Sequence, residues 1–446
     1  MPVVVAAAVF GAAQVAASWP SADGFEAGEL DVELPPPAPA PPGDVAPPTR
    51  ADTPPAPVRC RSDIGCLRWR LPATPPGAGP AAVTDGGVLA ALVPDGLSGF
   101  DVRSGSWRWG ASLELQTAAP ASVVPVEGAD TLVLVGAGNR LVAVDADTGE
   151  PRWEQGLAGA VGARAARAAG DTWYLAVRVR EGLTSSVAVL AVDADTGERR
   201  WRRDGANAVL TAARPVLQDV DGTLRGLDPT DGEGVWERAT ERPGARLAPL
   251  GELVVVTASG HGLAVDAADG TLIEEVAHPL SSLFVRDDVL LWGTDTTVEY
   301  LDGGRRRWTT ELPPGTGCCS GFAAAADTVT TLTGRGELLE LDRDTGEVLG
   351  SGALPAPFTA ARGSAWLHGP LVVVPVERAP RGLAQVHDAA TGTHLADVTQ
   401  DAYGLARTDA GSWVVLAPEL ALTLRPDELT APGQASSRPL GSARTR

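Results

Sequence analysis

A five-residue pattern that recurs along most of the chain constrains the fold more than any other sequence feature. The pattern is aspartate, two variable residues, then threonine, serine or aspartate, and finally glycine. It occurs at Asp101–Gly105, Asp145–Gly149, Asp193–Gly197, Asp228–Gly232, Asp266–Gly270, Asp342–Gly346 and Asp388–Gly392, with a degenerate copy at Asp302–Gly304. Successive aspartates are 44, 48, 35, 38, 36, 40 and 46 residues apart. This period is typical of one four-stranded propeller blade.

The local chemistry of the pattern predicts a tight turn after a strand. Each copy follows a short apolar run such as Leu141–Val144. Aspartate can accept hydrogen bonds from the backbone two residues on, and glycine adopts positive φ at little steric cost. The apolar runs are short and lack a helical period, which favours strands. The sequence therefore predicts an all-β fold.

Tryptophan follows the turn at a regular distance. It stands eight residues after the aspartate at Trp109, Trp153, Trp201 and Trp236, and six residues after it at Trp308. A buried indole removes roughly 200 Å² from water, so we expect these side chains to fill the seams between blades. The other copies carry Glu274, Gly350 and Ala396 at this position, which predicts seams that pack differently.

The combined pattern Ala-x-Asp-x-x-Thr-Gly-x-x-x-Trp is complete at Ala143–Trp153 and Ala191–Trp201. It resembles the tryptophan-docking motif of quinoprotein-like (PQQ-like) propeller repeats, and the resemblance covers residues 66–425. Families with this motif include quinoprotein alcohol dehydrogenases, an outer-membrane assembly lipoprotein and actinobacterial envelope proteins. The resemblance implies a β-propeller of four-stranded antiparallel blades, eight in number.

The two ends of the repeat region complement each other. The segment Cys66–Arg70 carries Trp69 in a similar strand but has no aspartate turn before it, and no tryptophan strand follows Trp413–Leu416 and Ala421–Leu424. We therefore expect the terminal strands to close the ring. The blade that the last strands would form with the Trp69 strand is a ninth blade or reflects one imperfect unit. We expect eight blades, the number that the family resemblance implies. A closed ring hides its strand edges, which favours a monomeric propeller.

Composition predicts three further segments outside the propeller, which we expect at 59–428. Residues 1–19 are apolar and nearly uncharged, as in a membrane anchor or signal segment. No arginine precedes Arg50, so the cationic start of a signal peptide is missing and we expect the true start upstream of Met1. Proline provides 11 of the 23 residues from Pro35 to Pro57, which predicts a disordered linker over 20–58. Residues 429–446 are expected to be a disordered tail.

Charge excludes several classes of function. The net charge of −20 opposes a nucleic-acid partner, because binding to phosphates requires clustered cations. No lysine occurs in the chain, so Schiff-base catalysis, a Ser-Lys dyad and a P-loop lysine are excluded. The five histidines are scattered without metal-ligand spacing, so we assign no metal site and no catalytic residues.

Four cysteines in an exported chain predict two disulfides. The simplest pairing joins Cys60 to Cys66 and Cys318 to Cys319, and the alternative bridges the two pairs to each other. The resemblance adds that quinoprotein dehydrogenases place a vicinal disulfide against their cofactor, beside calcium, an acidic residue and an asparagine. The only asparagines here are Asn139 and Asn207, and neither can be carried over to such a site.

These observations favour a non-catalytic, extracytoplasmic module of the cell envelope that binds a protein, peptide or glycan. It would be membrane-anchored through residues 1–19 or secreted, and no cofactor is predicted. Two alternatives stay open: a PQQ-dependent dehydrogenase with calcium, and the sensor domain of a membrane signalling protein.

Overall fold

The computed structural model describes residues 58–59, 66–70 and, with short gaps, 82–424. Within these ranges all 37 secondary-structure elements are β-strands, which confirms the all-β class. No helix of the described part is long and apolar enough to cross a bilayer. The predicted anchor at 1–19, the linker up to residue 57 and the tail at 429–446 lie outside the described residues.

Most strands form consecutive units of four, in which each strand is antiparallel to the next. Units 1 and 2 contain β3 (Ala82–Val83), β4 (Val88–Val93), β5 (Gly96–Asp101) and β6 (Trp107–Ser112), then β7 (Ala121–Glu127), β8 (Leu132–Ala137), β9 (Arg140–Asp145) and β10 (Pro151–Gly156). Units 3 and 4 contain β11 (Ala160–Ala169), β12 (Thr172–Glu181), β13 (Thr184–Asp193) and β14 (Arg199–Gly205), then β15 (Asn207–Leu210), β16 (Pro215–Gln218), β17 (Thr223–Leu227) and β18 (Gly234–Ala239).

The later units repeat this organisation. Units 5 and 6 contain β19 (Arg246–Leu250), β20 (Leu253–Ala258), β21 (His261–Asp266) and β22 (Leu272–Val276), then β23 (Ser282–Arg286), β24 (Val289–Gly293), β25 (Thr297–Asp302) and β26 (Arg305–Glu311). Units 7 and 8 contain β27 (Gly321–Ala324), β28 (Thr328–Leu332), β29 (Glu337–Asp342) and β30 (Val348–Ala353), then β31 (Trp366–His368), β32 (Leu371–Pro375), β33 (Leu383–Asp388) and β34 (His394–Thr399).

The first strands of the units lie side by side. From unit 1 to unit 8, the first strand of each unit contacts the first strand of the next. In two places, β7 with β11 and β27 with β31, these neighbours pair as parallel strands. The remaining strands of each unit extend away from this inner row, as blades do from the axis of a propeller.

Both faces of a unit are buried against its neighbours, which explains the nearly continuous apolar strands. On β13, Leu190 packs in a cluster with Leu141 and Trp153 of unit 2. The adjacent Val189 points to the opposite face and packs in a cluster with Leu217 of unit 4. Alternating side chains of one strand therefore serve two different seams.

A composite sheet joins the two ends of the described part. Its order is β1 (Val58–Arg59), β2 (Cys66–Arg70), β37 (Leu420–Leu424), β36 (Trp413–Ala417) and β35 (Gly404–Arg407). β2 pairs antiparallel with β37 along its whole length. The described strands thus form eight consecutive units and one composite sheet, so the expected preference for eight blades over nine is not confirmed.

Candidate functional site

Six of the described turns are closed by the aspartate at their start and the glycine at their end. In unit 2, the Asp145 carboxylate accepts hydrogen bonds of 3.0 Å from the backbone N–H groups of Asp147 and Thr148. The Gly149 N–H donates to the Asp145 carbonyl oxygen at 2.8 Å, with φ of +78° at Gly149. The same glycine-to-aspartate backbone bond closes the turns that begin at Asp101, Asp193, Asp228, Asp266 and Asp342.

In units 1, 2 and 3 the arginine directly before the tryptophan binds the turn of its own unit. The pairs are Arg108 with Asp101, Arg152 with Asp145 and Arg200 with Asp193, at 2.5, 2.9 and 2.9 Å. Together with the N–H of Thr196, the Arg200 guanidinium lowers the pKa of Asp193 to about 2. The carboxylate that holds this turn is therefore ionised at neutral pH.

Five tryptophans at the predicted seam positions reach the turn of the following unit. Nε1 of Trp153 in unit 2 donates a 3.0 Å hydrogen bond to the carbonyl oxygen of Ala194 in unit 3. The acceptor residue always follows the turn aspartate directly. The other contacts are Trp109 to Ala146, Trp201 to Pro229, Trp236 to Ala267 and Trp308 to Arg343, at 2.7, 3.1, 2.9 and 2.8 Å. One indole thus connects each of these pairs of units.

Small residues make room for the indole. A Cβ added at Gly197 of the receiving turn would lie 2.5 Å from Cδ2 of Trp153. Within its own unit, Trp153 has Ala143 as its cross-strand partner. A Cβ at Gly99, the corresponding residue of unit 1, would lie 2.1 Å from Cε2 of Trp109. These contacts explain why alanine or glycine stands two residues before the turn aspartate in units 1 to 4. In unit 6 the cross-strand partner of Trp308 is Tyr300, whose ring stacks on the indole at a centroid distance of 5.3 Å.

The burial of these side chains fits their contacts. Trp109, Trp153, Trp201 and Trp308 keep only 5, 4, 7 and 7% of their surface exposed. Trp236 is half-buried. A buried indole needs an acceptor for its N–H, and the turn carbonyl provides one in every case. Trp69 lies on β2, but its side chain lies outside what the structure describes.

The seam between units 5 and 6 has an ion pair where the five seams described above have an indole. Glu274 holds the tryptophan position on β22, and its Oε1 lies 2.7 Å from Nη2 of Arg306 on β26. Nε of Arg306 also lies 3.5 Å from Oε2 of Glu299, which is buried. The receiving turn at this seam is the shortened copy that begins at Asp302. The missing indole and the shortened turn therefore occur together.

Side chains of the inner strands make a second set of contacts between units. Oγ of Ser122 in unit 2 donates to the carbonyl oxygen of Ala163 in unit 3 at 2.9 Å. Nη1 of Arg164 in unit 3 donates to Oδ1 of Asn207 in unit 4 at 3.1 Å. Nδ2 of Asn207 donates in turn to the carbonyl oxygen of Ala245, directly before unit 5, at 3.0 Å. Sequence reasoning missed these residues because they follow no repeated spacing.

The cysteine pairing stays a prediction. Cys60, Cys318 and Cys319 lie outside the described residues, and Cys66 is described only as part of the backbone of β2. In the described part of the chain, no three His, Cys, Asp or Glu side chains come together in a way that could hold a metal ion. A PQQ-dependent dehydrogenase with calcium therefore stays an alternative, and the described residues form no site that could hold the calcium ion.

Several solved structures resemble this chain at low sequence identity. BamB from Moraxella catarrhalis is 17% identical, with 84% of this chain and 97% of that chain covered and a TM-score of 0.39. Sqt1 from Saccharomyces cerevisiae is 11% identical, with coverage of 67% and 94% and a TM-score of 0.43. Quinohemoprotein alcohol dehydrogenase from Comamonas testosteroni is 14% identical, with coverage of 79% and 74% and a TM-score of 0.38.

A protein family also matches the sequence itself. Its three overlapping matches cover residues 60–183, 94–243 and 162–287, which together span half of the chain and include units 1 to 5. No curated protein matches the sequence. Because the family match coincides with the turns and docked tryptophans described above, the chain belongs to the PQQ-like β-propeller repeat family described as outer membrane protein assembly factor BamB.

Proposed function

We propose that this chain is a non-catalytic, extracytoplasmic scaffold that binds a protein, peptide or glycan of the cell envelope. The observation that carries the proposal is the family match over residues 60–287, because the family is described by a role in outer membrane protein assembly. The docked tryptophans support it physically. They connect successive units into a framework on which the loops at both ends can present a binding surface.

The scaffold we propose is a closed ring. The pairing of β2 with β37 supports closure, because it joins a strand before unit 1 to strands after unit 8. Counting the composite sheet as a blade makes nine, against the eight that the family resemblance implies. In a closed ring, β2 and β37 pair with each other instead of with a second chain, which supports a monomer.

The same family relationship supports an extracytoplasmic location, and so do the apolar residues 1–19, which would direct export and then anchor the chain or be removed. A reporter enzyme that is active only after export, fused behind residue 446, tests this directly. We expect activity with the intact chain and loss of activity when residues 1–19 are deleted. Equal activity of both fusions would contradict export through this segment.

Site-specific photocrosslinking in living cells tests the binding role. One photoreactive residue replaces Val220, which is 81% exposed between β16 and β17. A second replaces Asp195, which is exposed in the turn between β13 and β14, at the opposite end of the blades. The scaffold proposal expects a defined adduct with an envelope component at one end at least, suppressed by excess unlabelled chain. The absence of a defined adduct at both ends, or adducts with cytoplasmic proteins, would contradict it.

A further inference from the structure

Unit 3 is built from longer strands than the other units. Its first three strands, β11, β12 and β13, have ten residues each, whereas no described strand elsewhere exceeds seven. The hairpin of β12 and β13 continues three residues beyond the pairing of Val187 with Gly205, where β14 ends. At ~3.3 Å per residue, this hairpin projects roughly 10 Å past β14, at the end of the blade opposite the Asp turn.

Three arginines lie toward this end of the blade: Arg180 in the projecting part of the hairpin, Arg178 level with the end of β14, and Arg164 next to the residue that pairs with Val177. Arg164 stands in a β-bulge of β11, because its neighbours Ala163 and Ala165 pair with consecutive residues of β12. Arg178 and Arg180 follow Ala176 on the face of β12 that packs toward unit 4. All three side chains are exposed. The positive charges therefore gather where unit 3 meets unit 4.

No carboxylate whose side chain the structure describes neutralises this cluster, and the side chain of Glu181, which follows Arg180, lies outside the described part. Arg108, Arg152 and Arg200 each bind a carboxylate, whereas within the described ranges no carboxylate forms an ion pair with Arg164, Arg178 or Arg180. Like charges on neighbouring strands repel each other, so the arrangement is unfavourable unless an anion shares it. The cluster is unusual in a chain with a net charge of −20.

The side chain of Arg164 is held in place by residues of the neighbouring units. Desolvation by the neighbouring strands, followed by the charge of Arg178, lowers the pKa of Arg164, although its side chain remains exposed to solvent. One guanidinium N–H is held by Oδ1 of Asn207 at 3.1 Å, and the Ala245 carbonyl fixes the orientation of that amide.

We propose that Arg164 and Arg178, with Arg180 two residues further along β12, bind an oxyanion, the carboxylate or phosphate group of a ligand. Guanidinium groups match both anions through paired N–H donors, and these bonds are stronger than neutral ones. The acidic surface elsewhere repels polyanions, which favours a single anionic group over a nucleic acid. The site goes beyond the proposed function and requires neither export nor a closed ring.

The test measures anion binding to the purified full chain. Calorimetric titration and thermal unfolding compare glutarate with inorganic phosphate, with chloride keeping the ionic strength constant. We expect saturable binding of at least one anion and a higher unfolding midpoint in its presence. A preference for glutarate would indicate an acidic side chain or chain terminus as the ligand, and a preference for phosphate would indicate a phosphate ester.

Variants separate this site from general charge effects. Arg164→Gln and Arg178→Gln should weaken binding by about tenfold or more, since each removes charge-assisted hydrogen bonds. Arg178→Gln should not lower the midpoint without anion, because it relieves repulsion. Arg199→Gln makes the same charge change at an exposed position on β14 and should bind like the wild type. No binding of either anion, unchanged binding in both site variants, or equal loss in Arg199→Gln would overturn the proposal.

Discussion

The indole N–H of Trp153 is bonded to the carbonyl oxygen of Ala194, the residue that directly follows Asp193 in the turn of the next unit. One repeat thus supplies the side chain and its successor supplies the receiving surface. A single repeat could not bury this indole alone. Stability of the chain is therefore expected to depend on the seams between repeats as much as on the repeats themselves.

Removal of one docked indole should be costly. Trp153→Ala should lower the free energy of unfolding by about 3–5 kcal/mol, because it leaves a cavity in a seam. Trp153→Phe keeps most of the burial and loses the hydrogen bond, so about 1–2 kcal/mol is expected. Urea denaturation measures both. Trp107→Ala on β6, where the indole is half-buried, serves as the control, and an equal loss there would contradict a special role for the seam.

A tryptophan at the exceptional seam should not dock. Glu274→Trp removes the ion pair with Arg306, worth up to about 1 kcal/mol at a partly exposed site. The copy at Asp302 is shorter than the turns that receive an indole, so we expect unchanged or lower stability in urea denaturation. Trp201→Glu, the reverse change at a docked seam, should destabilise strongly. A clear gain in stability for Glu274→Trp would show that the shortened turn can receive an indole.

Acid should weaken the turn of unit 3. The folded pKa of Asp193 is about 2, lowered first by Arg200 from its ordinary value of 3.8. The ionised carboxylate therefore stabilises the fold fully above about pH 4, and this contribution is lost as the pH falls toward 2. Asp193→Asn should be less stable than the wild type near pH 6, and the difference should shrink on acidification.

Urea midpoints at several pH values measure this difference. Asp195→Asn removes the same formal charge from an exposed position on the same turn and controls for net charge. A gap between wild type and Asp193→Asn that stays constant from about pH 6 to pH 2 would rule out the carboxylate as the source.

If the composite sheet closes the ring, a destabilising substitution at one end of the chain should also destabilise the units at the other end. β37 lies between β2 and β36, and Leu422 pairs with Arg68 on β2. Leu422→Pro removes a backbone donor from this central strand and should cost about 3 kcal/mol or more. Hydrogen exchange should rise in unit 1 as well as in the composite sheet. Ala46→Pro, in the proline-rich segment, is the control. Faster exchange confined to β35–β37 would contradict a closed ring.

The sequence predicts the seam tryptophans well because their spacing repeats with the turn. It also marks Glu274 as an exception, since the tryptophan is replaced at a known position. It does not reveal the partner Arg306, because that contact depends on how two strands from different units align. The sequence does not predict Ala194 as the acceptor for the same reason. Every residue has a backbone carbonyl, and only the packing of the next unit determines which one accepts the hydrogen bond.

The arginine site could not be predicted from the sequence. Arg164 stands in an alanine-rich strand without any spacing signal, and its exposure results from a bulge that the sequence does not mark. Arg178 lies on a strand whose length differs from the other units, which becomes meaningful only when the units are compared in space.

A double-mutant cycle between Trp153 and Gly197 tests the docking contact most directly. Gly197 and Gly170 both have positive φ, but only a Cβ at Gly197 would meet the Trp153 ring, whereas nothing lies within 4 Å at Gly170. Gly170→Ala should cost about 1–2 kcal/mol from the backbone alone, and Gly197→Ala should cost more. In the Trp153→Ala background, the cost of Gly197→Ala should fall to the level of Gly170→Ala. Additive costs within about 0.5 kcal/mol would contradict docking of the indole on this turn.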